Sequence, residues 1–172
     1  MRYFLLLSVV VILIFSCKTE KKVESTTNQE TTVYYLIRHA EKDRSTTGQD
    51  PSLTEIGLER AANWAKIFSS IKLDQIYSTD YKRTQQTASP TASEKNLEIQ
   101  SYDPDNLYNE GFKTKTKGKT VLIVGHSNTT PSLVNILLGE QKYDQINDRD
   151  NGKLFIVTLV KDKVSVLIED HN

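Results

Sequence analysis

Val33-Tyr34-Tyr35-Leu36-Ile37-Arg38-His39-Ala40 and Thr120-Val121-Leu122-Ile123-Val124-Gly125-His126-Ser127 are the two stretches that decide the fold. Each opens on a short run of β-forming, almost wholly apolar residues and then turns polar at once. Such a run reads as a strand buried on both faces, which is the environment of a parallel sheet. Outward from the first stretch, a polar loop with Gly48 and Pro51 leads into a helical pattern. Ser52 with Glu55 makes a capping box, with Thr54 as a rival cap. Leu53, Ile56, Trp64, Ile67, Phe68 and Ile71 fall on one helical face. Gly57 and Ala61 are small residues on or near that face and suit close approach to a sheet. Asp74–Ser78 reads as a short strand, Asp80–Ser93 as a helix in which Pro90 sets a kink or boundary, and Leu97–Tyr102 as another short strand. Residues 103–118 read as a polar connection. After the second stretch, a helix over Thr130–Leu138 starts around Pro131 and stops at Gly139. Residues 140–152 read as polar loop. Lys153–Val160 and Val164–Ile168 then flank Lys161-Asp162-Lys163 as a hairpin. The order predicts an α/β domain over residues 33–172: a mainly parallel sheet with helices on both faces and a C-terminal β-hairpin.

The chain has 172 residues, with 22 Lys plus Arg against 22 Asp plus Glu. That length suits one domain. The balanced charge argues against nucleic-acid binding held by bulk charge, which needs a basic surplus. One cysteine excludes an intramolecular disulfide scaffold.

Residues 1–16, MRYFLLLSVVVILIFS, carry one charge, Arg2, and an apolar run from Tyr3 to Phe15 interrupted only by Ser8. The run is short for a membrane span of roughly 20 residues. A charged start, a short apolar core and a small residue before the cut describe a signal peptide. The sole cysteine follows directly, and Ile14-Phe15-Ser16-Cys17 resembles a bacterial lipobox, which implies lipidation of Cys17. Residues 17–32 are polar, with Val23 the one large apolar side chain, and read as a flexible tether. The expected location is the cell envelope, on the periplasmic or outer face, held by lipid rather than by a polybasic patch.

In open α/β sheets ligands sit beyond the carboxyl ends of the strands. Arg38-His39-Ala40-Glu41 follows the first buried strand, and Gly125-His126-Ser127-Asn128 follows the second. Arg83 lies about one turn into the helix after the strand at 74–78. Two imidazoles and two guanidiniums thus come to one sheet edge. Guanidinium forks match phosphate or carboxylate oxygens, and helix N-termini add amide donors. A dianionic phosphoryl group suits such a site best. A neutral imidazole, kept unprotonated by nearby arginines, can attack phosphorus.

Arg38-His39-Ala40 after a strand resembles the signature of the histidine phosphatase superfamily, the phosphoglycerate-mutase-like group. Ser78-Thr79-Asp80-Tyr81-Lys82-Arg83-Thr84-Gln85-Gln86-Thr87 resembles its Ser-x-x-x-x-Arg-x-x-Gln-Thr segment, and Gly125-His126-Ser127 its second histidine motif. Leu53-Thr54-Glu55-Ile56-Gly57, with Ala61, resembles its first helix. The resemblance implies a phosphoric monoester hydrolase, acting on a phosphorylated small molecule or phosphoprotein. His39 would accept the phosphoryl group, while Arg38, Arg83 and His126 bind its oxygens. Water then hydrolyses the phosphohistidine. No metal and no organic cofactor is implied. Members commonly carry an acidic residue after the third strand to protonate the leaving oxygen. Here that region reads Ser101-Tyr102-Asp103-Pro104-Asp105, with no matching Glu. Glu41, Asp103 and Asp105 stand as alternatives. A site with a poor acid favours good leaving groups, such as phosphohistidine or an aryl phosphate.

Two rival readings stay open. One is a catalytically inactive, anion-binding lipoprotein of the same fold. The other is a metal hydrolase using His39, Glu41 and His126, which two adjacent arginines and the short supply of further ligands disfavour. His171, beside the C-terminus, reads as solvent-exposed.

Overall fold

The computed structural model describes residues 30–172. The signal peptide at 1–16, lipidation at Cys17 and nearly all of the tether at 17–32 lie outside the described residues. The elements are β1 Thr31–Arg38, α1 Glu55–Phe68, β2 Gln75–Ser78, α2 Lys82–Lys95, β3 Ile99–Ser101, α3 Glu110–Thr116, β4 Thr120–Gly125, α4 Thr129–Leu138, β5 Lys153–Val160 and β6 Lys163–Asp170. They build a six-stranded sheet in the order β3-β2-β4-β1-β5-β6. The pairs β3–β2, β2–β4 and β4–β1 are parallel, while β1–β5 and β5–β6 are antiparallel. This is the mainly parallel sheet with a C-terminal hairpin that the alternating pattern predicts.

Side chains alternate across β1 and supply two cores. Tyr34 and Leu36 face Phe112 of α3 and Leu133, Val134 and Leu137 of α4. Ile37 faces Trp64 and Phe68 of α1 and Ala88 and Ala92 of α2. Helices therefore cover both faces, which explains why β1 and β4 are almost continuously apolar. Tyr34 is a core residue; its hydroxyl donates to Thr116 Oγ1 at 2.6 Å, and burial pushes its pKa up to about 12.

Register positions the site. Arg38 pairs with Gly125, and Ser78 with Val124. The carboxyl ends of β1, β4 and β2 are thus level, and His39, His126 and Thr79 leave the sheet side by side.

The structure departs from the sequence pattern in several places. Thr54, not Ser52, caps α1, its hydroxyl accepting from Gly57 N at 3.1 Å. The buried stripe of α1 is Gly57, Ala61, Trp64, Ala65 and Phe68, and Ile56 is 65% exposed. Small residues outrank a large one there because backbone must pass close. A Cβ on Gly57 would lie 2.3 Å from the Glu41 carbonyl oxygen. Gly57 therefore packs on the loop after β1 rather than on the sheet. Helix α2 runs through Pro90 to Lys95 and ends on Asn96 with φ of 52°. Helix α3 lies inside the segment read as a plain connection; Asn109 caps it by accepting from Phe112 N at 2.9 Å. The imidazole of His171 packs on Trp64 at 5.3 Å between ring centroids and is only partly exposed, because the tail folds back on α1.

Candidate active site

His39 is 3% exposed. Its Nδ1 lies 2.7 Å from the Ala40 carbonyl oxygen. A carbonyl only accepts, so Nδ1 carries the proton and Nε2 keeps its lone pair. Burial pulls the imidazole down to about 3, with Arg38, Arg83 and His126 adding to the effect against the Ala40 hydrogen bond. The ring is neutral at physiological pH. Its backbone is fixed on both sides: Asn151 Nδ2 donates to the His39 carbonyl at 2.7 Å, and Ala40 N donates to Thr87 Oγ1 at 2.9 Å. Thr87 in turn donates to the Arg83 carbonyl at 2.7 Å, which ties the first turn of α2 to the end of β1.

His126 faces His39 edge-on, with ring centroids 5.6 Å apart. Arg83 Nη2 lies 3.3 Å from His126 Nδ1, and Thr79 Oγ1 lies 2.9 Å from His126 Nε2. A guanidinium only donates, so Nδ1 accepts and Nε2–H donates to Thr79. Thr79 can accept because its own proton serves Thr84 Oγ1, 2.9 Å away. Burial, then Arg83, lowers His126 to about 4. Tyr81 packs edge-on against His126 and holds the Arg83 guanidinium 4.2 Å from its ring centroid. Asp50 Oδ1 accepts from Lys82 N at 2.9 Å and stands 3.6 Å from Arg83 Nη1. Arg83 Nε and Nη1 are buried without a hydrogen-bond partner.

Arg38 is 1% exposed. Its Nη1 donates to the carbonyls of Asn147 at 3.0 Å and Asp150 at 3.1 Å, and its Nη2 to Asp148 Oδ1 at 2.5 Å. Its Nε is buried and unpartnered. Burial lowers its pKa, and Asp148 opposes the shift. With His39, Lys42, Arg44, Asp148 and Arg149, it lines a hollow of about 180 Å³. A larger hollow of about 620 Å³ lies at the opposite end of the sheet among Thr32, Tyr34, Lys117 and Lys161. It contains none of the histidines, and we place the chemistry at the smaller one.

The structure thus brings Arg38, His39, Arg83 and His126 together. The carboxylates fare differently. Glu41 lines the His39 hollow, but its Oε1 accepts from Arg60 Nε at 2.8 Å. Its Oε2 is buried without a hydrogen-bond partner. Asp103 Oδ1 accepts from Asp105 N at 3.0 Å in a turn, and Asp103 lines a hollow with Tyr77 and Phe112 that neither histidine lines. Asp105 shares that turn. The expectation that His126 donates to a bound oxoanion meets a ring whose two nitrogens are both engaged; in this arrangement it carries Arg83 instead. Among the described residues, no group of three or more His, Cys, Asp or Glu side chains is placed to hold a metal ion.

Sequence reading missed Thr79, Asp148 and Asn151. Thr79 had a signal, since it follows β2 as His39 follows β1. Asp148 and Asn151 sit in a polar loop whose pattern gives none.

The fold and this site define a phosphoglycerate-mutase-like α/β protein with a paired-histidine, paired-arginine centre. Residues 34–104 match the model of the histidine phosphatase superfamily (branch 1). It is 42% identical over 69 residues to phosphoserine phosphatase 1 of Hydrogenobacter thermophilus, a match covering 37% of this chain and 33% of the relative. The match thus spans about a third of that relative's length. The fold is similar to that of YhfR from Bacillus stearothermophilus, with a TM-score of 0.66 and 18% identity, covering 82% of this chain and 98% of that one. It is also similar to a phosphoglycerate mutase from Bacillus anthracis str. Sterne, with a TM-score of 0.61 and 16% identity, covering 83% and 93%. These likenesses show the fold.

Proposed function

We propose that the chain is a phosphatase that works through a phosphohistidine on His39. Nε2 of His39 attacks phosphorus, the N–P bond forms, and the bond from phosphorus to the leaving group breaks. Water then attacks phosphorus, the N–P bond breaks, and inorganic phosphate leaves. The observation that carries this reading is the Nδ1 hydrogen bond to Ala40 O, which leaves Nε2 bare on a neutral ring. The Nε of Arg38 and the Nε and Nη1 of Arg83, buried and without hydrogen-bond partners, supply donors for phosphoryl oxygens. Such preorganised donors stabilise charge that develops in the transition state.

The substrate class follows from the carboxylates. Glu41 is committed to Arg60, and Asp148 is committed to Arg38 and Arg44. Hydrogen bonding from Arg44 holds Asp148 below the usual carboxylate range. Each of these carboxylates is paired with arginine, which favours leaving groups that depart without a donated proton: an aryl phosphate, or the imidazole of a phosphohistidine. Phosphoserine, the substrate in the name of the Hydrogenobacter relative, is the alkyl comparator. Turnover of an aryl phosphate at least tenfold above phosphoserine, in the presence of EDTA, supports the reading. Loss of activity in EDTA points to a metal hydrolase, and absence of turnover with retained phosphate binding points to an inactive anion-binding protein.

The location is part of the same proposal. Lipid on Cys17 would hold the domain at the cell envelope. The chain enters β1 at Thr31, about 26 Å from the site at roughly 3.3 Å per strand residue. Palmitate labelling of the full chain but not of Cys17→Ala supports it; equal labelling rejects it.

A further inference from the structure

Asp148 occupies guanidinium nitrogens of two arginines beside His39, while the Nε of Arg38 stays unpartnered. Its Oδ1 receives Arg38 Nη2 at 2.5 Å, and its Oδ2 receives Arg44 Nη1 at 2.6 Å. One carboxylate thus bridges a buried and an exposed guanidinium inside the hollow that His39 lines. The backbone around it is anchored. Arg38 Nη1 grips the carbonyls of Asn147 and Asp150, Asn151 Nδ2 holds the His39 carbonyl, and Ile146 N donates to Ser127 O at 2.9 Å. The Asp148 side chain is nonetheless 54% exposed. It can therefore rotate into water while the loop stays in place.

We propose that Asp148 is a built-in competitor for the substrate's phosphoryl group, an internal carboxylate that must leave Arg38 Nη2 before a phosphoryl group met by the free Nε can take that nitrogen as well. This rests on the phosphatase reading and sharpens it into a specificity rule. A dianionic phosphoryl group forms stronger charge-assisted hydrogen bonds to the Arg38–Arg44 pair than the carboxylate does, and displaces it. A singly charged phosphodiester or a lone carboxylate offers no such advantage and is refused. The cost is weaker binding of every ligand, the product phosphate included, so the residue also favours product release.

The test is the affinity of the full chain for inorganic phosphate, measured by calorimetry, in wild type, Asp148→Asn and Asp162→Asn. Asp162 is an exposed residue of the β5–β6 turn and controls for net charge. The expected result is phosphate binding at least fivefold tighter in Asp148→Asn, a parallel fall in KM for an aryl phosphate, and no change in Asp162→Asn. Binding that is unchanged overturns the proposal. Weaker binding overturns it too, and assigns Asp148 to holding Arg38 in place. Failure of wild type and Asp148→Asn alike to bind phosphate would instead sink the phosphatase reading itself.

Discussion

His39 and His126 occupy equivalent places, each one residue beyond a buried parallel strand, yet their surroundings give them different hydrogen-bond partners. Both rings are neutral, lowered to about 3 and about 4 mainly by burial. The difference lies in who fills their nitrogens. His39 spends Nδ1 on its neighbour's carbonyl and keeps Nε2 bare. His126 spends Nδ1 on Arg83 and Nε2 on Thr79. Topology puts two imidazoles at one edge; hydrogen-bond partners leave one with a bare nitrogen, which the proposed mechanism uses for attack, and engage both nitrogens of the other.

The sharpest way to break this comparison is to remove each ring. His39→Ala should lower aryl phosphatase turnover by at least ~10³-fold, since no other group replaces the nucleophile. His126→Ala should leave measurable activity; equal loss in both variants would erase the distinction. Arg83→Ala comes next, with kcat expected to fall by on the order of 10²–10³, the usual size for one charge-stabilising donor. A fall below threefold would remove Arg83 from the site.

Thr79→Val sharpens the His126 half. It strips the acceptor from a buried Nε2–H, which should cost about 1–3 kcal/mol of stability in denaturant unfolding. Thr79→Ser should restore it. Gly57→Ala probes the floor of the site, because the added methyl meets the Glu41 carbonyl at 2.3 Å. Overpacking of this kind costs about 1–3 kcal/mol, read as a lower melting temperature.

The smallest effect is in the pH dependence. An unfolded histidine titrates near 6.5, whereas both rings here do so well below it. Between those values the unfolded chain binds more protons than the folded one. Stability is therefore retained above pH 6.5 and declines as pH falls toward 4, by on the order of 1 kcal/mol per pH unit for the buried His39. Replacing His39 by Asn should flatten that slope, and an unchanged slope would mean that its ring titrates normally in the fold.

The two buried strands and the residues just after them were readable, because continuous apolar runs fix a parallel sheet and the sheet fixes where ligands sit. Arg38, His39, Arg83 and His126 came from that rule. Helix α3 was not readable: in Glu110–Thr116 only Phe112 is a large apolar residue, too few to show a period. Ile56 misled for the opposite reason, since size suggested burial where the packing needed Gly57. The commitments of Glu41 to Arg60 and of Asp148 to Arg38 and Arg44 join distant segments and leave no periodic trace. The most informative part of the chemistry was therefore the part that pattern alone could not supply.

The central claim is a phosphoryl group on Nε2 of His39. The direct measurement is an alkaline quench of the full chain turning over a ³²P-labelled phosphoramidate, followed by peptide mapping. The account predicts acid-labile label on the peptide that carries His39, present in Arg83→Ala and lost in His39→Ala. Label on the His126 peptide, or steady turnover with no labelled histidine, would contradict it.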